Sequence, residues 1–247
     1  MKKTLLFLCF TILFVSNSKA QKLEFGADLF NRYIWRGMDL GGKSPSIQPW
    51  IKLNVGNDSH AFSIGTWGAF SLAGTSNEEI DLYLTYTYKG ALSITLTDYF
   101  FPGLNTGSKD KYFEWEKEKT GHILEGTLAF NGTENIPFTA LFSMNLYGND
   151  ARKSNGNIFM SKYIELGYKT SFKYADFNVF VGGTPDKADK ENGETAFYLN
   201  ENPGITNIGV KVSRTIQITD NFSVPVQCSI ISNPELNKIY LTLGLSF

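Results

Sequence analysis

Few side chains in this 247-residue chain could make or break a bond. It has two histidines, His60 and His122, and two cysteines, Cys9 and Cys228. A hydrolase site at His122 needs a serine and an orienting group beside it. Ser108 is the nearest serine in the preceding loop, and it lacks the Gly-x-Ser-x-Gly context of a nucleophile elbow. His122 and Glu125 in His-x-x-Glu fall on opposite faces of a strand, so they cannot hold a metal together. His60 lies in a short turn at the opposite end of the strand pattern, so the two histidines do not pair. This residue set argues for no enzyme, no metal and no cofactor. The chemistry left is electrostatic. Glu24, Asp28, Arg32, Lys52, Asp81, Glu125, Glu165, Lys169 and Lys211 all fall on one face of their strands by alternation. Inward charges of both signs can line a water-filled channel and bias which solutes pass. They can also pair with one another and plug a narrow barrel. Both uses remain open from sequence.

Those residues need strands to position them, and the C-terminal stretch shows the pattern most clearly. From Asn237 to Phe247, the residues Ile239, Leu241, Leu243, Leu245 and Phe247 alternate with Tyr240, Thr242, Gly244 and Ser246. One face is apolar and the other small or polar, as a strand needs when one side meets lipid and the other a lumen. Runs of this kind recur at 22–34, 45–56, 60–71, 78–89, 91–101, 121–131, 136–147, 157–172, 175–183, 204–218, 222–231 and 237–247. The count is even and the runs fit a tilted membrane strand of about 9–11 residues with overhang. The connections alternate long and short along the whole chain: 35–44, 57–59, 72–77, the turn at Lys89-Gly90, 102–120, 132–135, 148–156, 173–174, 184–203, 219–221 and 232–236. With both termini in the periplasm, every short turn is periplasmic and every longer loop is outside. A Greek-key sandwich has no reason to keep that order. The expectation is an all-β, antiparallel transmembrane barrel of about twelve strands.

The start of the chain agrees with that destination. Lys2 and Lys3 precede an apolar run from Leu5 to Val15, then Ser18-Lys19-Ala20. Residues 1–20 read as a cleaved secretory signal, with 21–247 as the barrel domain. The apolar run is too short to cross about 30 Å of hydrocarbon. Removing Lys2, Lys3 and Lys19 from the 23 basic residues leaves 20 against 24 acidic, a balance of −4. No basic surplus is available for nucleic acid. Cys228 alone remains, so no internal disulfide supports the exported chain.

Outward candidates include Ile47, Ile51, Leu53 and Val55 in one strand and Ile80, Leu82 and Leu84 in another, with Gln48, Lys52 and Asn54 inward. Arg214 falls on the lipid side by parity, where either a bulge turns it inward or its long stem reaches the rim. Trp35, Trp50, Trp67, Tyr88, Tyr99, Phe100 and Phe101 lie near strand ends, where aromatic girdles form. The charged segment 109–119 reads as a solvated loop, or as one that contacts lipopolysaccharide or enters the mouth. Asp186, Asp189, Glu191 and Glu194 in 184–203 lack the ligand spacing of a calcium loop.

The most distinctive stretch runs from Tyr33 to Asp39, Tyr-Ile-Trp-Arg-Gly-Met-Asp, with Pro45 and Gln48 following. Read from the residues, it is a strand end and an outer loop with Arg36 at the rim. It also resembles the TorF-type porins, exported bacterial proteins of similar length, at Tyr33, Arg36, Gly37, Pro45 and Gln48. The resemblance implies an outer-membrane barrel of porin type with no agreed substrate and no catalytic residues. Taken together, the expectation is passive diffusion of small hydrophilic solutes through a charged lumen, with 102–120 and 184–203 as constrictions. Outer-membrane lipids and lipopolysaccharide are the surrounding partners, and the sequence leaves the oligomeric state open. The competing expectation is a lipid-modifying or surface-binding barrel with a plugged lumen.

Overall fold

The computed structural model describes residues 21–73, 78–102, 107–198 and 201–247. The expected signal 1–20 lies outside the described residues, as do 74–77, 103–106 and 199–200 within three of the long connections.

Strand β1 (Gln21–Phe30) enters a barrel wall, and a separate hairpin follows, β2 (Ile34–Trp35) and β3 (Met38–Asp39). Eleven further strands complete the wall: β4 (Ser46–Gly56), β5 (His60–Ser71), β6 (Glu79–Tyr88), β7 (Leu92–Phe100), β8 (Ile123–Phe130), β9 (Phe138–Gly148), β10 (Lys162–Phe172), β11 (Ala175–Thr184), β12 (Gly204–Thr219), β13 (Phe222–Asn233) and β14 (Lys238–Ser246). Each wall strand pairs antiparallel with its neighbours and β14 returns to β1, closing a twelve-stranded barrel. Short turns gather at one end and longer connections at the other. At the short end, Lys89 and Gly90 both take positive φ (50° and 66°), the two-residue turn that matches strand twist.

Side-chain alternation sorts the two faces. In β14, Ile239, Leu241, Leu243 and Leu245 are exposed while Tyr240, Thr242 and Gly244 are buried. The same division holds for Leu82 and Leu84 against Asp81 in β6, and for Ile47 and Ile51 against Gln48 in β4. The apolar side chains thus form a continuous outer belt, and the buried polar ones sit inside.

The wall departs from the sequence expectation in four places. First, β1 stops at Phe30 rather than 34, because the Asn31 side chain takes over the ladder. Its Nδ2 donates to the Leu241 carbonyl at 3.1 Å, and its Oδ1 accepts from the Leu243 amide at 2.8 Å. The backbone beyond it leaves the sheet. Second, β10 starts at Lys162 rather than 157, since Met160 adopts a φ of 58° that ends an extended run. Third, Trp35, Trp67 and Tyr99 are not girdle residues. They pack inside, with Trp67 5.3 Å from Tyr33 and Tyr99 5.7 Å from Trp35. Fourth, no bulge rescues Arg214. The β12–β13 register is unbroken from Ile208 to Gln217, so Arg214 stays outward, one residue past the last β11 pairing at Ser213. It sits just past the end of the β11 pairing and borders an outward apolar groove with Leu29, Val226 and Leu245.

A candidate site: the inward hairpin, its latch and the cavity beside it

Past Asn31 the chain turns into the lumen. Ile34 pairs with Asp39 and Trp35 with Met38, leaving Arg36 and Gly37 as a two-residue turn. Both take positive φ, 49° and 78°. Glycine is required at 37: a Cβ there would run into the Thr206 carbonyl of β12, and the Gly37 carbonyl accepts from Asn233 Nδ2 at 3.0 Å. The hairpin tip is therefore pressed against the β12–β13 wall.

The turn also aims Arg36. Its Nη1 and Nη2 donate to the two carboxylate oxygens of Glu125 on β8, at 2.6 and 2.9 Å, and Nη1 donates to the Tyr198 hydroxyl at 2.7 Å. The Arg36 side chain is 10% exposed and Glu125 1%. Such a fork-to-fork pair fixes direction as well as distance. The guanidinium carbon lies 4.3 Å from the Trp35 ring centre and 4.6 Å from that of Tyr163, a cation held by two aromatic rings. Glu125 accepts further bonds from Tyr99 (3.1 Å) and Thr127 (2.9 Å). Arg36 is thus the centre of the lumen, not a rim residue. A buried pair of this kind is hard to break one partner at a time, because the survivor is left charged and unpartnered.

Two connections meet here. Phe197 and Tyr198, from the connection between β11 and β12, pack on Trp35 and Met38 together with Tyr163 and Leu141. Those two side chains enter the lumen. The described part of the connection between β7 and β8 does not. Residues 107–120 fold over the outer face of the wall at the long-connection end, where Trp115 stacks on His122 at 3.9 Å and Phe113 is 90% exposed. Asp98 and His122 point outward because Tyr99 between their rows points inward to Glu125. His122 Nδ1 lies 2.9 Å from Asp98 Oδ1 and Nε2 lies 2.6 Å from the Tyr112 carbonyl oxygen. The ring is fully buried and both nitrogens face acceptors, leaving neither for a substrate. Among the described residues no group of three or more His, Cys, Asp or Glu could hold a metal ion.

The nine charged residues expected inside divide into three settings. Asp81 and Glu125 are buried around the latch, joined by Glu79, which shares the parity of Asp81. Glu165, Arg32 and Lys211 border a cavity of about 290 Å³ beside the hairpin. Glu24 and Lys52 pair at 3.1 Å near the short-turn end, and Lys169 is exposed near that mouth. Asp28 is half-buried on the same face of β1. Of the motif positions, Tyr33 and Gln48 line the cavity together with Arg36, Gly37 forms the turn, and the Pro45 carbonyl accepts from the Leu72 amide at 2.8 Å. The sequence did not single out Tyr198, Tyr163 or Asn207. The adjacent aromatics Phe197-Tyr198, inside an otherwise acidic connection, were the available signal.

Residues 17–182 match the family model described as "Bacterial protein of unknown function (Gcw_chp)". No curated protein matches the chain. Among solved structures, the chain is similar to the COG4313 outer membrane channel from Pseudomonas putida F1, at 12% identity and a TM-score of 0.46, over 94% of this chain and 98% of that one. With two thirds of its length matched, the chain belongs to the Gcw_chp family of bacterial proteins of unknown function.

Proposed function

We propose that this protein is an outer-membrane channel for small hydrophilic solutes, with the β2–β3 hairpin as its closing element. One observation carries the reading: the hairpin fills only part of a twelve-stranded lumen, and a polar cavity remains beside it. A continuous apolar belt on the outer face is a surface that hydrocarbon matches and water does not. In this reading residues 1–20 are a cleaved signal, both termini and the short turns are periplasmic, and the long connections face outside. The TorF-type resemblance at Tyr33, Arg36, Gly37, Pro45 and Gln48 belongs to the same proposal. Transport is passive and needs no catalytic group or cofactor. In the same reading the flap 107–120 contacts lipopolysaccharide headgroups, a role supported by exposed Phe113 and Trp115 among its lysines. Solutes cross once Arg36 releases Glu125 and the hairpin leaves the lumen, and mixed charges along the wall then filter them.

Proteoliposome swelling in sugars of rising size tests this. Residues 33–42 are replaced by a short Gly-Ser link in a second preparation. Slow swelling for the wild type and fast, size-limited swelling for the variant are expected. Equal, background swelling by two folded barrels would overturn the channel.

A further inference from the structure

The cavity beside the hairpin is polar but unevenly charged, and that unevenness names a ligand class. Lys211 projects into it from the middle of β12, in register with Asn178 on one side and Ser229 on the other. Among the described residues, no carboxylate lies within ion-pair distance of its ammonium group and no acceptor takes its hydrogen bonds. The other cations are committed: Arg36 to Glu125, and Arg32 to Asp39 at 3.7 Å. Around Lys211 the lining is neutral and hydrogen-bonding, with Gln48, Asn178, Gln227 and Thr242. At the far end Glu165 already accepts from Tyr163 (2.6 Å) and Asn207 (2.9 Å) through one oxygen, leaving the other to accept. Phe30 and Phe180 supply apolar faces. The volume equals roughly ten liquid waters, enough for a six-carbon solute.

An unpaired ammonium at one end, amides and hydroxyls along the side, and a spare carboxylate oxygen at the other complement one kind of molecule. Resting on the channel reading above, the geometry points to a small hydroxylated carboxylate of the sugar-acid class as the solute this cavity binds. Its carboxylate meets Lys211, and its hydroxyls take the amides and donate to Glu165. A neutral sugar lacks the anchor, and a simple fatty acid lacks the hydroxyls.

The test is calorimetry on the intact, detergent-solubilised protein with gluconate, glucose and hexanoate, for wild type, Lys211→Gln and Lys211→Arg. Gluconate is expected to bind best. Lys211→Gln should weaken it about ten- to a hundredfold, the worth of a charge-assisted hydrogen bond, while leaving glucose unchanged. Lys211→Arg should restore most of the loss. Heat modifiability on gels confirms that each variant is folded. Equal binding of gluconate and glucose, or no gluconate binding by the folded wild type, would overturn the ligand class. The swelling assay reports separately: gluconate preference without transport rejects the channel and keeps the site, and transport without preference does the reverse.

Discussion

On the β6–β9 side of the lumen, Glu79, Asp81, Tyr99 and Glu125 press against the hairpin; on the β10–β13 side, Glu165, Asn178, Gln227 and Lys211 border open space. Both sides carry charge at the same strand parity, yet they use it differently. The first side binds the protein to itself: Glu125 takes Arg36, Tyr99 and Thr127, and the carboxylates there are buried. Glu79 Oε2 and Asp81 Oδ1 are even left without a partner there. A buried polar group in that condition opposes the packed arrangement. The second side keeps its cation unpaired beside a cavity. A plug needs satisfied charge, and a solute path needs charge that is free to act. In the proposed channel one barrel holds both, because the hairpin touches the β10–β13 side at Tyr163, Thr206 and Asn233 and leaves a cavity open beside Lys211.

Breaking the latch should have the largest effect. Arg36→Ala or Glu125→Ala strands a buried charge and costs about 3–5 kcal/mol of the closed arrangement. The double variant should lose less than the sum, and a thermal double-mutant cycle read by heat modifiability measures that coupling. Gly37→Val attacks the same hairpin without touching charge. A positive φ costs a branched residue about 1–2 kcal/mol, and the collision with Thr206 adds to it. It should raise conductance as Arg36→Ala does, and a silent Gly37→Val would show that the hairpin is not the obstruction. Lys52→Glu comes next. It sets two like charges against each other beside Glu24 and should turn the short-turn mouth toward cations, with a stability change of about 1 kcal/mol or less. The shift in reversal potential across a salt gradient measures it. Trp115→Ala removes the ring stacked on His122, worth about 0.5–1.5 kcal/mol beyond the area it covers. Trypsin should then cut faster at Lys117 and Lys119, with conductance unchanged because the flap lies outside the wall. Lys169→Gln, exposed at the mouth, should change stability by no more than about 0.5 kcal/mol.

The wall was legible because alternation is a local property. Ile239 to Leu245 and Leu82 to Leu84 declare their face within a few residues, and the alternating connections give strand order and closure. Glu79 was equally legible, since it shares the parity of Asp81. The plug was not. Alternation falters at Phe30 and Asn31, which put a ring on the inward parity and an amide on the outward one, but only the side-chain bonds of Asn31 to Leu241 and Leu243 show that the strand ends there. Strands of two residues, Ile34–Trp35 and Met38–Asp39, are too short for a period, although an Arg-Gly pair between them fits a tight hairpin. The pairing of Arg36 with Glu125, 89 residues away, is a tertiary choice that no spacing encodes. The charged segment 109–119 hid a different lesson. Its charges suit a solvated loop, but Tyr112 and Trp115 tie it to the outer face of the wall through His122.

In the proposed channel the Arg36–Glu125 latch holds the lumen closed. Single-channel conductance in planar bilayers, wild type beside Arg36→Ala, tests it most directly. Rare, brief openings are expected for the wild type and frequent, long ones for Arg36→Ala. Identical conductance from the two folded proteins, whether both open or both silent, would contradict it.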